Sequence, residues 1–113
     1  MTSAELVTMQ AASSTVAAVV NAANNVFNQI KAHGTANDAQ RKLLSARLAE
    51  AHTFELQEGT MALHRQKFAH MRELFDEASA YEGTPRYVYL FQTAIDASVM
   101  LEDNIRLYVR RAR

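Results

Sequence analysis

The segment QEGTM, residues 57–61, decides how this chain folds. Gly59 is the only glycine between Gly34 and Gly83, and helical patterns approach it from both sides. Before it, Leu44, Leu48 and Ala51 recur at helical spacing; after it, Phe68, Met71, Phe75 and Ala78 do. A helical hairpin needs roughly 2–5 loop residues, more than one glycine supplies. The sequence therefore predicts a continuous helix over 37–82, about 70 Å long at the usual helical rise. The alternative is a break at Gly59-Thr60, which makes a monomeric four-helix bundle.

Outward from this segment the signals are also helical. The 113 residues hold three Gly and one Pro, so few chain reversals are available. Ala, Leu, Glu, Gln, Arg and Met, all strong helix formers, recur throughout. A first helix is expected over about 3–33. Thr2-Ser3-Ala4-Glu5 reads as a capping box at its start, and Gly34 suits a left-handed cap at its end. Lys31 and His33 fall in the last turn, where positive charge complements the helix dipole. Thr35, Asn37 and Asp38 are candidate caps for the second helix. Thr84-Pro85 opens a third over about 85–112, because proline suits the first helical position. The short β-prone run Tyr87–Phe91 is read as helical, since the apolar spacing after it continues at the helical period.

Two of these helices carry seams that alternate steps of three and four. The first presents Leu6, Met9, Ser13, Val16, Val20, Ala23, Phe27 and Ile30; the last presents Tyr87, Phe91, Ala94, Ser98, Leu101, Ile105, Tyr108 and Ala112. Such a repeat implies coiled-coil packing. The middle helix is apolar on several sides. One line is Phe54, Met61, Phe68 and Phe75, filled in by His64, Met71 and Ala78; another is Leu56, Leu63, Leu74 and Tyr81, with His52 and His70 on it. A helix hydrophobic around most of its circumference needs several neighbours. The expected architecture is thus a single all-α domain over 1–113: an antiparallel bundle of three long helices, completed by self-association, most simply as a two-fold dimer.

The stretch VVNAANNVFNQI, residues 19–30, bears on the same point, because from Met1 to Ile30 the only charged side chain is Glu5. Beside the seam, Val7, Val19 and Val26 form a second stripe. An uncharged surface is easily desolvated when another docks on it. The sequence therefore predicts a first helix held between its own chain and a partner, with Val7, Val19, Val26, Phe54, Met61, His64, Phe68 and Phe75 as interface residues. In composition this N-terminal segment is similar to helical filament and secretion-apparatus subunits and their chaperones; the likeness carries no motif and transfers no residue.

Chemistry is sparsely signalled. Twelve basic and twelve acidic residues leave no net charge to draw a polyanion. There is no cysteine, no Gly-x-Ser-x-Gly turn and no glycine-rich phosphate loop. An enzyme is not expected, nor a cofactor. His52, Glu55 and Glu58 share helical spacing, as do His70 and Glu73, and a metal-binding bundle is one alternative. Three ligands on one helix do not close a site, so no metal is expected. Four arginines, Arg106, Arg110, Arg111 and Arg113, crowd the C-terminal end, the first, second and fourth on one face. They complement the dipole or contact phosphate or an acidic partner. A nucleic-acid-binding dimer is the second alternative, weakened by the neutral overall charge. The apolar segment at Val16–Val20 is interrupted by Ser, Thr and Asn, so neither a membrane span nor a signal peptide is expected, and the location is read as cytoplasmic. The leading expectation is a non-enzymatic helical protein that self-associates and binds a protein partner as adaptor, chaperone, inhibitor or assembly subunit.

Overall fold

Left-handed glycines close two of the connections between helices, and the third connection has none. The computed structural model describes residues 2–112. Among them are four helices, α1 (Ser3–His33), α2 (Asp38–His52), α3 (Ala62–Ala80) and α4 (Arg86–Ala112). A 3-10 turn at Thr53–Glu55 prolongs α2. Gly34 has φ +80° and donates its amide to the Ile30 carbonyl, ending α1. Gly83 has φ +85° between α3 and α4. Only glycine adopts that conformation without steric cost. Thr2 Oγ1 accepts the Glu5 amide at 3.1 Å, while the Glu5 carboxylate takes the Thr2 hydroxyl, so one arm of the capping box forms. Asn37 is the cap of α2, accepting from the Gln40 amide.

The continuous helix over 37–82 is not formed. The chain leaves helical geometry after Leu56 and re-enters it at Ala62, so the break at Gly59-Thr60 is the architecture. The contacts show why. Phe54 stacks on Phe68 with ring centroids 5.4 Å apart, and Arg72 grips Glu55. At the other end of these helices Arg41 pairs with Glu82. Contacts of 41 with 82 and of 55 with 72 require α2 and α3 to run antiparallel. The multi-sided apolar surface of the middle segment is therefore divided between two short helices, each with its own neighbours. The premise that a second chain must cover a long rod no longer applies.

The result is an up-down-up-down bundle, about 46 Å long and 21 by 20 Å across. α1, at 31 residues, spans that whole length. It packs against α2 and α4, and α3 packs against α4 and the 3-10 turn, with a lighter contact to α2. Because α2 has 15 residues, it covers only part of the 31-residue α1; farther along, Gly59 of the connecting segment meets α1 at Thr8. There the backbone of Gly59 presses on α1. A Cβ at Gly59 would lie 2.7 Å from Thr8 Oγ1, so this glycine is required by close approach rather than by an unusual φ.

The core explains the uncharged first helix. Met9, Ala12, Val16, Val19, Ala23, Val26 and Ile30 are all buried, flanked by Ala22 and Phe27. These seven follow steps of three and four, but their line is rotated from the expected seam, and Ser13 and Val20 are only half-buried. Val19 and Val26 thus belong to the chain's own core, and only Val7, 65% exposed, faces outward. A helix wedged between two neighbours needs an apolar arc wider than a single seam. Asn21, Asn24, Asn25 and Asn28 are exposed, so the outer face is solvated polar surface without charge. By length and composition α1 could cross a membrane; in this fold its core face meets α2 and α4. At the end of the bundle where α1 finishes, Phe91 joins three helices, stacking on Phe27 and meeting Phe75 and Tyr87 edge to face.

Burial at these valines makes a sharp contrast. Val19→Asp places a carboxylate at a fully buried position and is expected to abolish cooperative folding, since an unpaired buried charge costs more than a typical domain holds in reserve. Val7→Asp is expected to change stability by no more than about 0.5 kcal/mol. Urea denaturation followed by circular dichroism separates the two; equal effects would contradict the rotated core.

Candidate interaction surface

The buried face of α3 is His64, Phe68, Met71, Phe75 and Ala78. One residue back along the helix lies a second line, Leu63, Lys67, His70 and Leu74, at the same spacing. Leu63 and His70 stand exposed on it and Leu74 is half-buried. On α4, Tyr89, Met100 and Leu107 are separated by eleven and seven residues, which returns them to one side of the helix. Their exposures are 75%, 66% and 42%. The edge-to-face contact of His64 with Tyr108, centroids 5.3 Å apart, aligns the start of α3 with the end of α4. Leu63 and Leu107 therefore sit at one end of the α3–α4 face, with His70 and Met100 farther along. Between the helices runs a shallow groove of about 230 Å³, lined by Lys67, His70, Ala97, Met100, Leu101 and Asn104. Its lining sets the exposed Met100 and the buried Leu101 beside Ala97 and Asn104, with Lys67 and His70 on the α3 side.

Phe54, Phe68, Phe75 and His64 are buried within the chain, and Met61 is 39% exposed beside the break. Periodicity marked Leu63 and His70 as a line but did not reveal that it would remain open. Met100, Leu107 and Tyr89 of this candidate surface lie off the heptad seam of α4, and one sequence signal marks them. The signal was their shared position on the helical wheel.

Glu55 is committed to an internal ion pair. Its carboxylate receives Arg72 Nε at 3.0 Å and Arg72 Nη2 at 3.1 Å, and His52 Nδ1 contacts the same group. Burial works to raise its pKa, but the hydrogen bonds and charges of Arg72 and His52 outweigh it and hold the carboxyl below its usual value. Glu58 is exposed and does not join them. Among the described residues, no group of three or more His, Asp or Glu side chains comes together as a metal site.

At the bundle's other groove, Arg106, Val109 and Arg110 of α4 face Gln10, Ser13 and Ser14 of α1 around an open depression of about 480 Å³. Arg106 also pairs with Glu102 at 3.3 Å. Arg111 is exposed, and Arg113 lies outside the described residues. Comparison with protein-family models, curated proteins and solved structures finds no match to this chain.

His64 is 4% exposed, and its Nδ1 has no hydrogen-bond partner among the described residues. Burial, helped by the charge of Lys67, lowers its pKa from the ordinary 6.5. The unfolded chain then binds a proton more readily than the fold does. His64 therefore supports stability fully above about pH 6.5, and that support is lost as pH falls toward the lowered folded value. Glu55 adds a lower window, losing its contribution as pH falls from about 4.5 through its depressed folded pKa. Denaturation midpoints measured from pH 8 to pH 4 are expected to decline on acidification. His64→Leu should flatten the upper part of that decline and Glu55→Gln the lower part.

Proposed function

We propose that this protein is a non-enzymatic interaction module that binds an amphipathic helix of a protein partner across α3 and α4, and that also associates with itself. The observation that carries the reading is the exposed apolar line of Leu63, Met100 and Leu107 flanking a groove with basic residues on one side. Helix-in-groove recognition uses such a surface: apolar anchors at successive turns supply affinity, and a polar edge sets orientation. The occupant that fits is a helix with an apolar stripe and an acidic side chain placed to meet Lys67.

Met100→Glu with Leu107→Glu places two carboxylates on the apolar line. Both sites are exposed, so the fold is expected to persist with a stability change near 0.5 kcal/mol per site. Partner binding should weaken by at least about tenfold, because anchor residues typically contribute over 1 kcal/mol each. Affinity purification with the native and doubly substituted proteins, followed by titration of whatever helix is retained, measures this. Equal retention by both would defeat the groove assignment.

A second reading has its own observation. Arg106 and Arg110 line one open depression together with Gln10, Ser13 and Ser14. Guanidinium and hydroxyl donors together suit phosphate or a carboxylate. A gel-shift titration across salt tests the nucleic-acid version: binding at low salt that weakens as salt rises supports it, and Arg106→Gln with Arg110→Gln should reduce that salt slope.

A further inference from the structure

The segment Thr53–Met61 carries none of the marks that end the other helices. Thr53 and Leu56 keep right-handed helical geometry, with φ −58°, ψ −29° and φ −112°, ψ −9°. α2 therefore has no left-handed cap residue, unlike the chain at Gly34 and Gly83. α3 begins after Met61 with no side chain capping its first turn. The segment TFELQEGTM contains no proline and is rich in helix formers. Nothing local stops one helix from running through it. What bends it is tertiary contact, chiefly Phe54 on Phe68, Glu55 with Arg72, and Gly59 against Thr8.

The bent form is also imperfect. Thr60 is 1% exposed, and its hydroxyl has no hydrogen-bond partner among the described residues. Gly59 leaves no room for a side chain. A straightened helix over 38–80 would be roughly 65 Å long. That overshoots the 46 Å bundle, so its far half would have to be covered by another molecule.

We propose that Thr53–Met61 is a hinge and that a second copy of this chain docks by domain swapping. In the swapped dimer α2 and α3 fuse into one helix. The α1–α2 hairpin of each copy then packs on the α3–α4 hairpin of the other. The contacts of α1 with α4, Phe54 with Phe68 and Glu55 with Arg72 are all remade, now between copies; only those of segment 56–61 are given up. Hinge loops held under strain favour such exchange. The inference rests on the self-association part of the proposed function but uses a surface separate from the α3–α4 groove.

Gly59→Ala favours the straight hinge twice, through helix propensity and through the clash of its Cβ with Thr8. Gly59→Ala with Thr8→Ala removes most of the clash and keeps the propensity. Both are expected to raise the dimerisation constant, on the order of twentyfold from propensity summed over two chains. Light scattering should show twice the 12.6 kDa chain mass, with a gain in helical ellipticity as residues 53–61 become helical. The chain has no cysteine, so Thr8→Cys with Gly59→Cys introduces a single pair. Their Cβ atoms would lie 3.1 Å apart, a small shift from the roughly 3.5–4.5 Å of a disulfide. Oxidised, this variant should stay at single-chain mass; reduced, it should dimerise. A single-chain mass at every concentration for the alanine pair overturns the proposal. So does a dimer that persists in the oxidised cysteine variant, because that dimer is not swapped. Met100→Glu with Leu107→Glu in the Gly59→Ala background should leave the swapped dimer intact; loss of the dimer there assigns association to the groove instead.

Discussion

The ring of Phe54 lies against that of Phe68, and this contact between residues fourteen apart turns the chain back at its middle. Without it, α2 and α3 are one rod with apolar residues on too many sides. With it, each half has a core face of ordinary width and neighbours to cover it. Glu55 and Arg72 reinforce the turn with a two-point hydrogen-bonded ion pair, which fixes both direction and register. The glycine at 59 then lets the connecting strand of chain lie flat on α1 at Thr8. Ring packing, ion pair and close approach all fall within residues 54–72 and Thr8, so the turn is held from several sides.

The foldback also settles what covers the uncharged first helix. α1 runs the length of the bundle between α2 and α4, so its buried arc is wide and small residues such as Ala12, Ala22 and Ala23 admit close approach. Its outer side needs only to be wet, and asparagines suffice. One of the polar residues in this stretch does structural work: Gln29 accepts the Asn37 amide at 2.8 Å, tying the end of α1 to the cap of α2. The positions of α1 that face water carry mostly neutral polar or small residues, such as Ser14, Asn21, Asn24, Asn25 and Asn28, rather than charged ones.

The proposed interaction surface lies where the bundle leaves apolar residues uncovered. The apolar residues that remain outside fall mainly on one side of α3 and α4 and around the break. The same break that completes a self-sufficient core is the least locally encoded part of the chain. The proposed interaction and the proposed exchange draw on different regions, the groove between α3 and α4 and the segment Thr53–Met61, whose bend is held by distant contacts. His64 is buried beside Tyr108, its Nδ1 without a hydrogen-bond partner among the described residues, and it links the core to acidity, since protonation would place a charge in a buried site.

The sequence by itself determined the helical class, the boundaries near 33, 37 and 83, and most of the inward face of α4. Each of those depends on neighbours within a turn or two: a left-handed glycine at 34 or 83, a cap at Asn37, apolar residues at a fixed period. It also marked Phe54, Phe68 and Phe75 as one apolar line. The break between Leu56 and Ala62 and the rotation of the buried stripe of α1 toward Val19 and Val26 were decided only in three dimensions. At the break, one glycine weakens a helix by about 1 kcal/mol, too little to stop it. Aromatic packing across the turn, an ion pair with Arg72 and contact with Thr8 together outweigh the local preference, and none of those partners is visible from residues 53–61 alone. The phase of α1 was likewise set by having two helical neighbours rather than one, a fact about the assembled bundle that no periodicity along a single helix contains.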